Sequence, residues 1–436
     1  MKLRTGLILA LSIAVTQSAA GTEGALRAAA ARVDITPPID ELPKPYKSIY
    51  DPIYVRALLL DNGATRAAVI VADVPAIQAG IHADLIRRVA AQAGIPPENI
   101  LLGSSHTHNS IRVDTSKSGG IIAGSDAFTR RVIAATLEAV RQAAAGLQPV
   151  RAGYGVGQSS LVANRNEWSA PERRYIDGID RTGTQFVDPS LGVFKVESLS
   201  GDLVALVLNY GIEPVVNEAQ GTEISGDVPG SAARYVEEAA GGKAVALFTI
   251  APAGSPAYRV WAGPDADAAR AHRIMAAMGT VLGEEALATA RHISRTVTQM
   301  RIGGGLRTLQ CPGKITTPQN LKRECSNMPG ATVPACSFRD AEGPPVALNY
   351  GVLQLGDTAI VHADANVVPA IGDRLKRALP LANAMVVLDN FGPFRFLVDD
   401  ASYPLNTYEA TATRAKQGCG EQGLIDGTLQ LIEQLR

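Results

Sequence analysis

The sequence predicts an α/β fold, with strands layered against helices. Short apolar runs rich in Val, Ile and Leu alternate with longer stretches of helical periodicity along most of the chain, the pattern of strands and helices packed as layers. Hydrophobic residues make up 46% of the 436, enough for a sizeable core. No internal repeat and no linker divides the chain, so residues 21–436 read as a single large domain.

The elements follow in order. Residues 54–60 and 67–72 read as strands, and 82–93 as a helix ended by Gly94, with Ile95-Pro96-Pro97 beyond. The apolar run 99–103 is a strand that leads into Ser105-His106-Thr107-His108. A second long helix covers 125–145, with Ser125 as its N-cap. Residues 193–197 and 203–210 form a strand pair across the turn Ser198-Leu199-Ser200-Gly201. Helix 228–240 carries Pro229 in its first turn. A buried strand at 244–250 precedes a long helix at 264–292. Strands at 300–305, 350–355 and 359–362, a helix at 367–378, a strand at 384–388 and a helix at 423–435 complete the series.

Composition sets bounds on function. Lys2 and Arg4, the short apolar run 7–15 and Ser18-Ala19-Ala20 have the layout of a secretory signal peptide over residues 1–20. The expected destination is therefore periplasmic or secreted, and no later segment is apolar for long enough to span a bilayer. A net charge of −1 and the lack of a basic stripe argue against a nucleic-acid partner. Sparse aromatics disfavour an open sugar-binding platform. Four cysteines, Cys311, Cys325, Cys336 and Cys419, in an exported chain predict two disulfides, with three connectivities open. They lack the C-x-x-C pairs of a thiolate metal site. The Pro-, Ser-, Thr- and Cys-rich stretch 310–345 reads as a stapled surface insertion.

Polar clusters at strand ends carry the chemistry. His106 and His108, two of six histidines, stand one residue apart. In a strand such a pair points both imidazoles to one side, where they can share a metal ion. Glu213, in Asn209-Tyr210-Gly211-Ile212-Glu213-Pro214, can ligate a metal or act as a base. Asp227 precedes a helix and reads as its N-cap. Ser255, in a Gly/Pro turn, is a candidate assisting hydroxyl without the G-x-S-x-G elbow. His362 and Asp364 would share a strand face and supply nitrogen and oxygen ligands. His82, His272 and His292 lie in helical patterns and read as structural.

Taken in order, several segments resemble the neutral, non-lysosomal ceramidase family in its N-terminal catalytic domain. They are Ala31-Arg32-Val33-Asp34-Ile35-Thr36-Pro37-Pro38, Val71-Ala72-Asp73, the Ser-His-Thr-His run, Asn164-Arg165, Val187-Asp188-Pro189, Ile224-Ser225-Gly226-Asp227 and Tyr408-Glu409-Ala410. The resemblance implies layered mixed sheets with flanking helices, and a zinc amidase that cleaves an N-acyl sphingoid base or related N-acyl substrate. It implies His106 as a zinc ligand, His108 as a catalytic-site residue, and Asn164 and Arg165 near the substrate carbonyl. It also implies a small-molecule or lipid substrate, reached at a membrane surface if lipid.

The chain departs from the family pattern at several positions. Glu213 stands where the family has a ligand histidine, and Asn366 where it has a ligand glutamate, with His362 or Asp364 available to compensate. The family's tyrosine ligand maps to Tyr403, or to Phe394 or Phe396, which cannot ligate. The serine turn is shortened to Gly254-Ser255-Pro256. A chain without the immunoglobulin-like C-terminal domain of full-length ceramidases is expected. The expectation is a metal-dependent amide hydrolase. The alternatives are a zinc-less ligand-binding relative and a polysaccharide-active enzyme on the same scaffold.

Overall fold

The computed structural model describes residues 23–114, 125–171, 174–180, 182–216, 222–254, 256–258, 267–315, 341–390 and 392–436. The expected signal segment 1–20, Ser255, Cys325 and Cys336 lie outside the described residues. No described helix is long and apolar enough to cross a membrane.

Two large sheets organise the described chain. The eight-stranded sheet runs Val245–Ile250, Leu203–Tyr210, Ser190–Ser198, Gln148–Gln158, Arg27–Asp34, Tyr54–Asp61, Arg66–Ala72, Ile100–Ser104. Its interior pairs are antiparallel, and the pair at each edge is parallel. The five-stranded sheet runs Glu23–Ala25, Gln299–Ile315, Ala341–Leu355, Thr358–Ala363, Asn383–Leu388, with its last pair parallel.

Alternation of side chains along each strand sorts the core into layers. Leu58, Leu60, Val69, Val71, Leu101, Val207 and Leu247 meet Ile302, Leu353, Ile360, Met385 and Val387 between the sheets. On the outer face of the large sheet, Val55, Leu59, Ile70 and Leu102 pack on helices Ala79–Ala93 and Asp126–Ala145. Val193, Leu208 and Phe248 pack on helices Asp227–Ala239 and Ala268–His292. Helices Pro369–Ala378 and Gly420–Leu435 cover the far face of the small sheet. Strands covered on both faces carry continuous apolar runs, which is why they stand out in the sequence.

The large sheet also curls. Strand Val245–Ile250, at one edge, lies against Ile100–Ser104 at the other, and against Asn383–Leu388 of the small sheet. The Asn209 side-chain amide donates to the Val386 carbonyl (3.1 Å), which joins the two sheets at this seam. The C-terminal ends of strands far apart in sheet order are thereby brought together.

Most expected elements appear with shifted ends. Ser125 caps its helix through Phe128 N, and Gly94 ends the first helix in the left-handed region at φ 62°. That helix begins at Ala79, because the Gln78 side chain accepts from Ile81 N (3.1 Å). The long helix starts at Ala268, capped by Asp267.

Two long strands of the large sheet had no counterpart in the expectation, besides several strands of two to four residues. Arg27–Asp34 is alanine-rich, and alanine favours helix in isolation. Gln148–Gln158 carries Pro149 and three alternating glycines. Those glycines admit the end of the long helix: a Cβ on Gly157 would lie 2.1 Å from Thr289 Oγ1, and one on Gly155 2.7 Å from Ile293 Cγ1.

Most of the expected insertion at 310–345, residues 316–340, lies outside the described residues. Its two described ends continue strands Gln299–Ile315 and Ala341–Leu355 of one long hairpin. Cys311 on that hairpin pairs with Cys419, at the start of the last helix, with Cα atoms 5.7 Å apart. This supplies one of the two expected disulfides; Cys325 and Cys336 lie outside the described residues.

A buried ionic knot fastens the large sheet to its helices. Arg56, 2% exposed, donates from Nη1 to Asp73 Oδ2 (2.7 Å) and from Nε to Glu237 Oε1 (2.9 Å). Arg32 also pairs with Glu237. Removing the guanidinium would leave the buried Asp73 carboxylate without its ion-pair partner and Glu237 with Arg32 alone. Arg56→Ala should therefore lower the unfolding free energy by about 3–5 kcal/mol in urea denaturation. A loss below about 1 kcal/mol would show that the knot contributes no more than a surface pair.

Candidate metal centre

The site begins where strand Ile100–Ser104 ends. Ser105 N still bonds to Ala72 O (2.9 Å), but His106 then adopts φ 56° and turns the chain out of the sheet. His106 and His108 are therefore not alternate residues of one strand, as the spacing implied. The turn brings the rings together instead, with centroids 5.2 Å apart and planes at 81°. His108 N bonds to Pro214 O (3.1 Å) and Thr107 Oγ1 to Ser225 O (2.9 Å), which ties this loop to the one after strand Leu203–Tyr210.

That second loop delivers Glu213, 7% exposed. Its Oε1 lies 3.3 Å from His106 Nε2 and 3.4 Å from His108 Nε2. Its Oε2 accepts from Asn366 Nδ2 (3.2 Å) and faces Arg165 Nη2 at 3.5 Å. Burial alone would raise the Glu213 carboxyl. The charge of His106, hydrogen bonds from both imidazoles and the charge of Arg165 outweigh burial and hold it well below the usual carboxylate range.

The donor set fits a metal ion. His106 Nδ1 lies 2.8 Å from the Pro75 carbonyl, which can only accept, so Nδ1 carries the proton. A charged His106 donates from Nε2 to Glu213 as well, whereas a neutral one turns its Nε2 lone pair to the carboxylate oxygen, an arrangement that a cation between them satisfies. Nitrogen and oxygen ligands about 2.0–2.1 Å from a tetrahedral zinc stand about 3.3–3.4 Å apart, the spacing found at Glu213 Oε1. Among the described His, Cys, Asp and Glu residues, His106, His108 and Glu213 form the group whose ligand atoms all lie within 4.8 Å. His108 thus joins the donor set as an equal of His106. The Pro75 carbonyl and Asn366 amide serve as outer partners that fix ligand orientation.

Arg165 and the segment after Thr407 close the site. The guanidinium lies over the Tyr408 ring (5.0 Å to the centroid), with Nε 4.0 Å from Glu409 Oε1. Burial opposes its charge, but Glu213, Asp177, Glu409 and Tyr408 more than compensate. Asn164, expected beside a substrate carbonyl, is occupied by Phe186 O (2.9 Å) and Asn166 N (2.9 Å) and shapes the turn around Arg165. Tyr408 and Glu409 were legible only as part of a family-like segment.

Other candidates lie elsewhere. His362 Nδ1 pairs with Asp389 Oδ2 (2.6 Å), and Asp364 accepts from Asn349 N (2.9 Å) and Nδ2 (2.7 Å). Neither belongs to the group around Glu213, because both have nearer partners. Tyr403 donates its hydroxyl to Ala415 O (3.1 Å) and its ring faces Lys314. Phe394 is buried in the small-sheet core, and Phe396 meets Tyr408 edge-on. Asp227 is not an N-cap: Gly226 takes that position, and the Asp227 carboxylate accepts from Val228 N (2.7 Å) and Asn109 Nδ2 (3.4 Å).

Comparison with solved structures follows from this geometry. No protein-family profile matches the chain, and no curated protein matches it in sequence. In structure it matches neutral ceramidase from Pseudomonas aeruginosa, with a TM-score of 0.74 and 17% identity over 94% of this chain and 75% of that one. The fold is that of the neutral ceramidases. A ceramidase complexed with C2 matches with a TM-score of 0.75 and 16% identity, over 94% of this chain and 76% of that one. The ceramidase fold bears out the expected layered α/β class and the resemblance, in a divergent sequence.

Asp364 supplies a pH test of the region beneath the site. Burial, opposed by the Asn349 hydrogen bond and reinforced by Asp389, pushes its carboxyl up to about 6, against about 3.9 in an unfolded chain. The folded state therefore favours the protonated form. That contribution is complete below the unfolded value and is lost as pH rises through the folded one. Relative to Asp364→Asn, the wild-type thermal midpoint should fall as pH passes through about 6. Midpoints that stay parallel between about pH 4 and pH 8 would refute the shift.

Proposed function

We propose that this protein is a metal-dependent amide hydrolase of ceramidase type, acting on an N-acylated lipid base or a related N-acyl amide. The observation that carries this reading is Glu213 Oε1 set between two imidazole nitrogens at 3.3 and 3.4 Å, the spacing of ligands on a tetrahedral zinc. His106, His108 and Glu213 would hold the ion, and two imidazoles with one carboxylate is a donor set suited to zinc. Bound there, zinc would supply carbonyl polarisation and lower the pKa of water.

The protein's own groups do the rest. Asn366 donates to Glu213 Oε2, with Arg165 facing it at 3.5 Å, so that Oε1 stays turned toward the histidines. Arg165, charged and buried beside the donor set, is placed to donate to a substrate carbonyl as negative charge develops on its oxygen. The ceramidase fold and the C2 complex of a protein that shares it support an N-acyl substrate. Ser255 as an assisting hydroxyl, and export through residues 1–20, belong to this proposal on sequence grounds.

Metal analysis tests the reading. Purified protein equilibrated with zinc should retain about one ion per chain. His106→Ala should lose both metal and amidase activity, whereas His362→Ala should keep the metal. In a panel of N-acyl amides and glycans, turnover should be confined to the amides. A protein that retains no zinc is a ligand-binding relative instead, and that result overturns the proposal.

A further inference from the structure

Arg165 is shared between two carboxylates and hydrogen-bonded closely to neither. Its Nη2 stands 3.5 Å from Glu213 Oε2, and its Nε 4.0 Å from Glu409 Oε1. Arginine–carboxylate pairs in full contact close to about 2.7–2.9 Å. Among the described residues, Arg165 Nε and Glu409 Oε1 are both buried without a hydrogen-bond partner. Such orphaned atoms are rare and call for a reason.

The second carboxylate is itself firmly held. Asn166, next in the chain after Arg165, donates from Nδ2 to Glu409 Oε2 (2.9 Å) and accepts from Tyr408 N at Oδ1 (3.0 Å). One asparagine thus fixes both the ring that Arg165 lies on and the charge beside its Nε. Glu409 is 1% exposed, and burial raises its carboxyl, with Arg165 and Asn166 pulling it partly back.

The geometry points to Glu409 as a positioning residue: it is the counter-charge that keeps Arg165 from collapsing onto Glu213. Without it, the guanidinium would be drawn toward its remaining carboxylates, Asp177 and Glu213, and Glu213, which its Nη2 already faces, is the one facing both imidazoles. Arg165 would then compete with the metal for Glu213. With Glu409 in place, Arg165 stays beside the donor set, its Nη2 held off Glu213 at 3.5 Å. The consequence for metal binding rests on the function proposed above, whereas the position of Arg165 does not.

Two measurements separate these. In a metal-free crystal structure of Glu409→Gln, whose side chain can still accept from Asn166, the Arg165–Glu213 separation should close to about 2.8 Å. A separation unchanged from the wild-type protein overturns the proposal. By chelator competition, the zinc dissociation constant of Glu409→Gln should rise about 10–100-fold. It should return to the wild-type range in the Arg165→Met/Glu409→Gln double variant, which removes the competing charge. A side chain that merely packs would not be rescued in this way, so failure of the double variant to recover also overturns the proposal. If Glu409→Gln does not fold, the double variant should fold, and its failure to do so is likewise fatal. If the wild-type protein takes up no zinc, the hydrolase reading fails, and the crystal structure still decides the role of Glu409.

Discussion

A buried carboxylate must be compensated, and at Glu213 that requirement draws together segments that have nothing else in common. His106 and His108 come from the loop after one sheet edge, Glu213 from near the opposite edge, Arg165 from a short strand connection, and Asn366 from beyond the small sheet. The four segments are far from one another in sequence. Only the curl of the eight-stranded sheet, with its edge strands touching and the small sheet at the seam, brings them within bonding distance. The site is therefore a property of sheet closure more than of any local motif. Whatever loosens the seam loosens the compensation of that charge.

The sequence disclosed the framework through the burial of its strands. Runs such as 66–72 and 245–250 are apolar on both faces because helices cover one side and a second sheet the other. The same logic flagged the site, since polar residues that follow a doubly buried run mark a strand's end at a layer boundary. His106, His108 and Glu213 were found in this way. The two long strands that escaped notice are built from alanine or glycine. There the packing partner, and not the residue's own preference, decides the conformation.

Tertiary pairing hid the remainder. His362 and Asp364 look like ligands in the chain, but Asp389 and Asn349 claim them first, and neither pairing can be read from local spacing. Two tyrosines five positions apart, Tyr403 and Tyr408, look alike in sequence. One donates its hydroxyl to Ala415 and the other lies under the Arg165 guanidinium. Which of two such neighbours faces a site depends on turn geometry in between, and composition carries little information about that.

The backbone at His106 bears on how the site persists over generations. Its φ of 56° lies where a β-carbon is crowded, and where glycine or asparagine would sit with less strain. Backbone strain alone would reward exchanging the imidazole for one of those residues. Against that exchange stand the ring's bond to the Pro75 carbonyl and its contact with the buried Glu213. Histidine at this position is thus held against the preference of its own main chain, and its loss among descendants would date the moment at which the site ceased to matter.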